Sequence, residues 1–324
     1  MIKRPLDILF SAMYRGKLNF DDMKKASVGQ MYEVFTISGR EVVKPTPELK
    51  NYLSFLGRVL FNKLPVDNAS VFSYRKGVSL LNAVEKHAAS KFFLQVDIAD
   101  FFGSIDESLI RETILASEEA CPISDVKDHL EMIVNLVTVG SSLPAGYPTS
   151  PAISNACLYG FDKRLKEVCD RSGLIYTRYS DDLIVSGSDS EMIGRVYEVI
   201  KEILLDEFGG RLEVNQSKTK FTRPGQKVKL LGINILPNGA VSVDKKFKKD
   251  AEVKLYYYLK DRAVFVKMSG GTDLEKAVKN LSGIINYINT VDSVFLDKLR
   301  KKYGSTLVDM FLHRSTKLLD ENKI

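Results

Sequence analysis

The sequence predicts an α+β fold: an antiparallel sheet with helices on one face, followed by a helical C-terminal region. Three observations carry this prediction. The run Phe92-Phe93-Leu94-Gln95-Val96-Asp97-Ile98 reads as a strand ending on a carboxylate. Two short runs, 174–177 and 183–186, read as strands either side of Tyr179-Ser180-Asp181-Asp182, a hairpin with two adjacent acids at its tip. Between them lies a helical run from Ala152 to about Cys169, long enough to cross back over a sheet. A βαββ order would then set strand 92–98 beside the hairpin.

Bulk properties agree. A chain of 324 residues accommodates two or three subdomains, and 44% hydrophobic with 27% charged residues argues against long disorder. A net charge of +6 favours a polyanionic partner. Cys121, Cys157 and Cys169 lack CxxC spacing, and with three histidines no zinc site is expected. That usage fits a reducing cytoplasm. The N-terminus does not read as a signal peptide, no run approaches the ~18 apolar residues of a membrane span, and no internal repeat is found.

In chain order, residues 1–30 read as one or two short helices with Leu6, Leu9, Phe10, Met13 and Tyr14 on one face. Residues 32–37 and 40–44 form a hairpin around Ser38-Gly39, and a helix spans about 48–62. The loop 72–79 carries Arg75-Lys76 beside Tyr74: a solvated basic turn, or a phosphate contact. A helix with Asn82 and His87 follows. His87 has no ligand partner at i+4, so a packing or backbone-bonding role is expected. Residues 106–136 look helical. The loop Leu143-Pro144-Ala145-Gly146-Tyr147-Pro148-Thr149-Ser150-Pro151 leads into the 152–169 helix, with Ser150 a good N-cap. After the acidic hairpin come a helix over 192–208 ended by Gly209-Gly210, a short strand at 212–215, and a meander through 228–235 and 241–243. From Asp244 the chain turns helical and basic, with Lys245, Lys246, Lys248, Lys249 and Lys254 beside Tyr256, Tyr257 and Tyr258; further helices are expected at 272–290 and 292–318. Lysine beside tyrosine suits a nucleic-acid backbone, although a charge run also reads as a solvated face.

The acids carry the chemistry. Asp181-Asp182 alone could be a solvated turn. Yet two like charges side by side conflict unless a divalent cation lies between them. An acid ending a buried apolar strand, as Asp97 does, must be paired, protonated or on a metal. Three carboxylates without histidine or cysteine suit hard cations such as Mg²⁺. Two such ions about 4 Å apart would activate a 3′-hydroxyl and stabilise a leaving pyrophosphate.

Five blocks occur in order: LQVDIADFFGSI, LPAGYPTSPAISN, YTRYSDDLIVS, VNQSKTKF and LLGINI. With these spacings the chain resembles reverse transcriptases from about residue 32 to its C-terminus, and among them bacterial retron-type enzymes. The resemblance implies a right-hand polymerase fold: fingers over 1–91, palm over 92–243 (with 106–142 partly fingers) and a helical thumb over 244–324. It implies an RNA-directed DNA polymerase using two Mg²⁺ held by Asp97, Asp181, Asp182 and the backbone of Ile98. Lys218 would donate a proton to pyrophosphate. Phe102 would exclude a 2′-hydroxyl, and Arg75, Lys76, Ala145 and Gly146 would surround the dNTP. Leu231, Gly232 and Ile233 would grip the primer; Lys245, Lys246, Lys249 and Tyr257 would hold the nucleic-acid backbone. The implied partners are a structured non-coding RNA serving as template and primer, the RNA–DNA product duplex, dNTPs, and an effector protein from the same locus in antiphage defence, with no membrane. Three positions depart from the retron pattern: the extra residue between Asn82-Ala83 and His87, Leu230-Leu231-Gly232 in place of Val-Thr-Gly, and Ala145 in place of glutamine. Another defence-associated reverse transcriptase, or a silent RNA-binding scaffold of polymerase fold, are the alternatives.

Overall fold

Strands β1 (Tyr32–Ile37) and β2 (Arg40–Pro45) form the expected hairpin, with Ile37 opposite Arg40. The sheet that follows contains the three expected strands and a fourth, β6, that the sequence did not predict. Strands β3 (Phe92–Asp97), β4 (Ile175–Tyr179), β5 (Asp182–Gly187) and β6 (Lys220–Thr222) pair antiparallel in the order β4-β5-β3-β6. Three shorter strands, β7 (Val228–Leu230), β8 (Ile233–Ile235) and β9 (Val241–Ser242), make a separate meander. The computed structural model describes residues 2–223, 225–270 and 273–312. It divides into two units: the chain to Ala83 with Ser90–Arg223, and Val84–Ala89 with the chain from Pro224 onward.

In the first unit, side-chain alternation sorts the sheet into two faces. Leu94, Val96, Ile98, Leu183 and Val185 join the core, together with Phe161, Leu165, Ile193, Val196 and Ile200 from the helices Tyr159–Arg171 and Ser190–Phe208. Helices therefore cover one face of this sheet. The N-terminal helix Leu6–Tyr14 and the helix Pro47–Val59 extend the same core through Leu6, Phe10, Leu53 and Leu56. The three cysteines are free and buried.

Several expected elements are broken where backbone bonds go elsewhere. The 106–136 helix is two, Glu107–Ala116 and Leu130–Val137. Between them the chain pairs with the N-terminal segment, the Arg4 amide donating to the Pro122 carbonyl at 3.0 Å. Pro122 has no amide to continue a helix. The 48–62 helix ends at Val59 in a 3₁₀ turn, and the 152–169 helix is split at Leu158 into Ser150–Cys157 and Tyr159–Arg171. Residues 212–215 make only an isolated bridge, Val214 to Ile98.

The second unit joins the meander to helices Lys245–Lys260, Arg262–Met268, Leu274–Val291, Ser293–Tyr303 and Ser305–Leu312. The run 228–235 is not one strand: Leu231 (φ 49°) and Gly232 (φ 86°) make a two-residue turn between β7 and β8. Two consecutive positive φ values are the type I′ pattern that suits strand twist. The last expected helix is interrupted at Gly304, and residues 313–318 of that expectation lie outside the described residues. His87 is fully buried, and burial pushes its imidazole down to about 3, so it is neutral at ordinary pH. No helix among the described residues is long and apolar enough to cross a membrane.

A buried ion pair lies in the first unit's core. Arg178 of β4 and Asp162 of the helix beneath are both fully buried. Arg178 donates from Nε to Asp162 Oδ1 at 2.8 Å and from Nη2 to Oδ2 at 2.7 Å, and the Tyr176 hydroxyl donates to Oδ1 at 2.7 Å. Removing one partner leaves an uncompensated buried charge. Arg178→Met should therefore lower stability by ~3–5 kcal/mol. The double variant Asp162→Leu/Arg178→Met should recover most of that loss, because no unpaired charge remains. Urea unfolding midpoints of the three proteins check both outcomes.

Candidate active site

The acidic turn differs from its expected form. Tyr179 pairs with Asp182, so the turn is Ser180-Asp181 and Asp182 is already the first residue of β5. Ser180 has φ 60°, whereas Asp181 does not have positive φ. This sign pattern belongs to a type II′ turn, whose first central position usually takes glycine. The consequence is electrostatic. As a strand residue, Asp182 sits opposite Asp97 of β3. Residues paired this way share a face with Cβ atoms about 5 Å apart. By the same alternation Arg178 points to the helix-covered face and Asp182 to the other.

Backbone bonds assemble the rest. The Ile98 amide donates to the Asp181 carbonyl at 3.0 Å, tying the end of β3 to the turn. The Asn215 amide donates to the Asp97 carbonyl at 2.7 Å, and the Lys218 amide to the Asn215 carbonyl at 3.1 Å. That loop brings Lys218 Nζ to 2.8 and 3.0 Å from the two carboxylate oxygens of Asp97. Burial first, then the charges of Asp181 and Asp97, push the Asp182 carboxyl up to about 6; Lys218 acts against them.

The chemistry of this donor set, three carboxylates without histidine or thiolate, suits a hard divalent cation. Three carboxylates in mutual repulsion need positive charge, and one cation, the Lys218 ammonium, is already drawn to Asp97. Among the described residues no group of three carboxylate, imidazole or thiolate side chains is placed to hold one ion.

The 70–73 segment runs along β4. Phe72 N donates to Arg178 O at 2.9 Å, Arg178 N to Ser70 O at 2.8 Å, and Asn155 Nδ2 to Ser73 O at 3.0 Å. Arg75 turns its guanidinium onto its own loop, donating to the Asn68 carbonyl at 3.1 Å and to the Val71 carbonyl. Lys76 is exposed. The 144–150 loop is closed by Ser150 Oγ donating to the Pro144 carbonyl at 2.6 Å and pinned to β2 by Val43 N donating to Ala145 O at 2.8 Å. Gly146 has φ 110°, and a Cβ there would lie 2.4 Å from the Val43 carbonyl oxygen. Close approach of β2 is thus a packing reason for this glycine. Phe102 is half-buried and edge-on to buried Phe101, with ring centroids 5.3 Å apart.

The remaining sequence-predicted residues belong to the second unit. Leu231 and Gly232 form the β7–β8 turn and Ile233 is buried beneath it. Lys245, Lys246 and Lys249 are exposed on their helix, and Tyr257 stands edge-on to Tyr256 at 5.1 Å. Two other lysines of the run are spent internally: Lys248 on Asp292 at 2.6 Å and Lys254 on Asp250 at 2.7 Å.

Sequence reasoning missed Asp162, Arg178 and Asn155, and gave Tyr74 no role of its own. A signal existed for Arg178: its parity in β4 places it with core-facing Tyr176, and a buried guanidinium demands an anion.

A family model described as reverse transcriptase (RNA-dependent DNA polymerase) matches residues 46–235. The chain is 24% identical to the retron Ec83 reverse transcriptase of Escherichia coli, covering 90% of this chain and 92% of that protein. It is 25% identical to the retron Ec86 reverse transcriptase of Escherichia coli, covering 84% and 82%. Among solved structures, apo telomerase from Candida tropicalis aligns at 11% identity and a TM-score of 0.49, over 87% of this chain and 60% of that chain.

The raised carboxyl of Asp182 sets a pH dependence. A folded-state value near 6 against an ordinary 3.8 means that stability from this group is full below about 3.8 and is lost as pH rises through about 6. With EDTA present, Asp182→Asn should melt higher than the wild type at about pH 7.5 and close to it at about pH 4. The same difference at both pH values would contradict this origin. Gly146→Ala should lower the melting temperature by several degrees, because its Cβ meets backbone at a positive φ.

Proposed function

The chain belongs to the reverse transcriptase family, and from that premise we propose that it extends a primer with dNTPs on a structured non-coding RNA, making retron msDNA by a two-Mg²⁺ mechanism. RNA-directed DNA polymerisation is the activity of the family. The observation that carries the proposal is the register that sets Asp97 opposite Asp182, with Asp181 in the adjoining turn and Lys218 on Asp97.

In this reading Asp97, Asp181 and Asp182, with the Ile98 carbonyl, would hold the metal. When bound, Mg²⁺ activates the primer 3′-hydroxyl and neutralises charge on the departing pyrophosphate. The β3–β5 ladder and the Ile98–Asp181 bond keep the carboxylates in place, so the chain contributes pre-positioned charge rather than covalent chemistry. Lys218 balances Asp97 before substrate enters and carries a proton on Nζ for the pyrophosphate. Phe102 closes the sugar site against a 2′-hydroxyl. Lys76, Ala145 and Gly146 flank the nucleotide, with Arg75 bracing the loop that carries Lys76. In the second unit, Leu231, Gly232 and Ile233 hold the primer end, and Lys245, Lys246, Lys249 and Tyr257 bind the backbone of the RNA–DNA duplex. The proposed partition is fingers 1–91, palm 92–243 and thumb 244–324. An effector protein from the same locus is the proposed partner in antiphage defence, and phage plating on strains with and without the locus tests that role.

Purified protein with labelled dNTPs, Mg²⁺ and a primed RNA should incorporate label, and Asp97→Asn, Asp181→Asn and Asp182→Asn should each abolish it while remaining folded. Full activity in these variants would sink the mechanism. A wild type inactive on every primed RNA would favour the RNA-binding scaffold. Sequencing the co-purifying nucleic acid should recover a branched RNA–DNA hybrid of defined length. Phe102→Ala should raise ribonucleotide incorporation relative to dNTP by about tenfold or more, the scale on which a steric pocket discriminates.

A further inference from the structure

We propose that Tyr74 and Ser180 are positioning residues, forming a latch that couples the loop carrying Arg75 and Lys76 to the turn carrying Asp181. The inference deepens the polymerase reading above and rests on it for its kinetic part.

Ser180 lies between Tyr179 and Asp181 and is only 8% exposed, so its side chain is turned into the protein. Its hydroxyl is 2.8 Å from the Tyr74 hydroxyl, across 106 residues of chain. Both partners hold left-handed backbone, with φ 60° at Ser180 and 58° at Tyr74. Neither is glycine, the residue that takes such torsions without strain. Strained torsions persist where surrounding interactions over-determine them, and they cluster at ligand clamps and active sites. Here two of them meet in one hydrogen bond.

The remaining bonds show what the latch adds. The Ser180 carbonyl accepts from Arg178 Nη1 at 3.1 Å, and the Asp181 carbonyl accepts from Ile98 N at 3.0 Å. These hold the main chain of the turn from the sheet side. The 70–73 segment is likewise anchored, by β4 and by Asn155. Beyond Ser73 the loop rises into solvent: Tyr74, Lys76 and Gly77 are exposed. Across this boundary the Tyr74 hydroxyl ties the loop directly to the acidic turn. Losing it loosens the loop, which keeps the Arg75 bonds to the Asn68 and Val71 carbonyls, and leaves the sheet-side anchors of Asp181 intact. The latch therefore acts on how firmly the cationic loop meets an incoming triphosphate, and less on the chemical step.

Tyr74→Phe keeps the ring and removes only the hydroxyl; Ser180→Ala removes the other half. With the protein free of nucleotide, both variants should show faster hydrogen exchange at amides 74–77 and unchanged exchange in β4 and β5, at an unchanged melting temperature. In primer extension each should raise the KM for dNTP about three- to tenfold, the span of a single hydrogen bond, with kcat within about twofold. The double variant should be no worse than the weaker single, because both remove the same bond. Unchanged exchange at 74–77 in both variants overturns the latch. So do additive KM effects, or a fall in kcat with KM flat. Faster exchange in a protein whose wild type incorporates no dNTP upholds the latch and overturns the polymerase reading, so the two failures are separable.

Discussion

The buried pair of Asp162 and Arg178 is the interaction on which the site depends. Desolvating two charges is costly, and a well-packed apolar pair could fill the same volume. An apolar pair could not do what the third donor does. With Nε and Nη2 committed to Asp162, Nη1 is aimed at the Ser180 carbonyl, in a turn whose first central residue has φ 60°. The helix beneath the sheet thereby fixes the turn above it. Arg178 also uses its own amide and carbonyl to hold the 70–72 segment. One residue thus secures the acidic turn and the neighbouring loop together.

Alternation then separates two kinds of charge. Arg178 and Asp162 neutralise each other on the core face, while Asp97 and Asp182 face one another on the other side, with Lys218 paired to Asp97 alone. In the proposed mechanism their remaining conflict is left for a cation. Burial first, and then the charges of Asp181 and Asp97, raise the Asp182 carboxyl, and Lys218 acts against them from a loop that is itself bonded to Asp97 through Asn215. A fully neutralised cluster would be more stable and would attract a metal less. Functional sites are where such local instability is retained.

Within the second unit, charge is used differently. Asp292 caps the Ser293–Tyr303 helix, accepts from Ser242 Oγ at 2.8 Å and pairs with Lys248, so one carboxylate joins β9 to two helices. Lys254 is likewise internal. The lysines left exposed, Lys245, Lys246 and Lys249, are the ones a polyanion can reach. Counting a basic run therefore overstates its binding face, because some of its members pay for folding.

What the sequence by itself determined was local and periodic: which runs are strands, where the acids fall on them, and five blocks in the order of a known family. The strand 92–98, the acidic hairpin and the crossing helical run are legible because hydrophobic alternation and turn chemistry act over a few residues. Breaks in the helices were not legible, since the Glu107–Ala116 helix gives way to a segment that pairs with Arg4, far back in the chain, and the break at Leu158 is a local change in torsion. The two-residue turn at Ser180-Asp181 was not legible either. Serine is an unfavourable choice there, made tolerable by Arg178 and Tyr74. Only tertiary structure could decide that Asp182 faces Asp97, that Gly146 answers to the backbone of Val43, and that Asp162 is the anion for Arg178. Register and burial are properties of pairs of segments, and no single segment contains them.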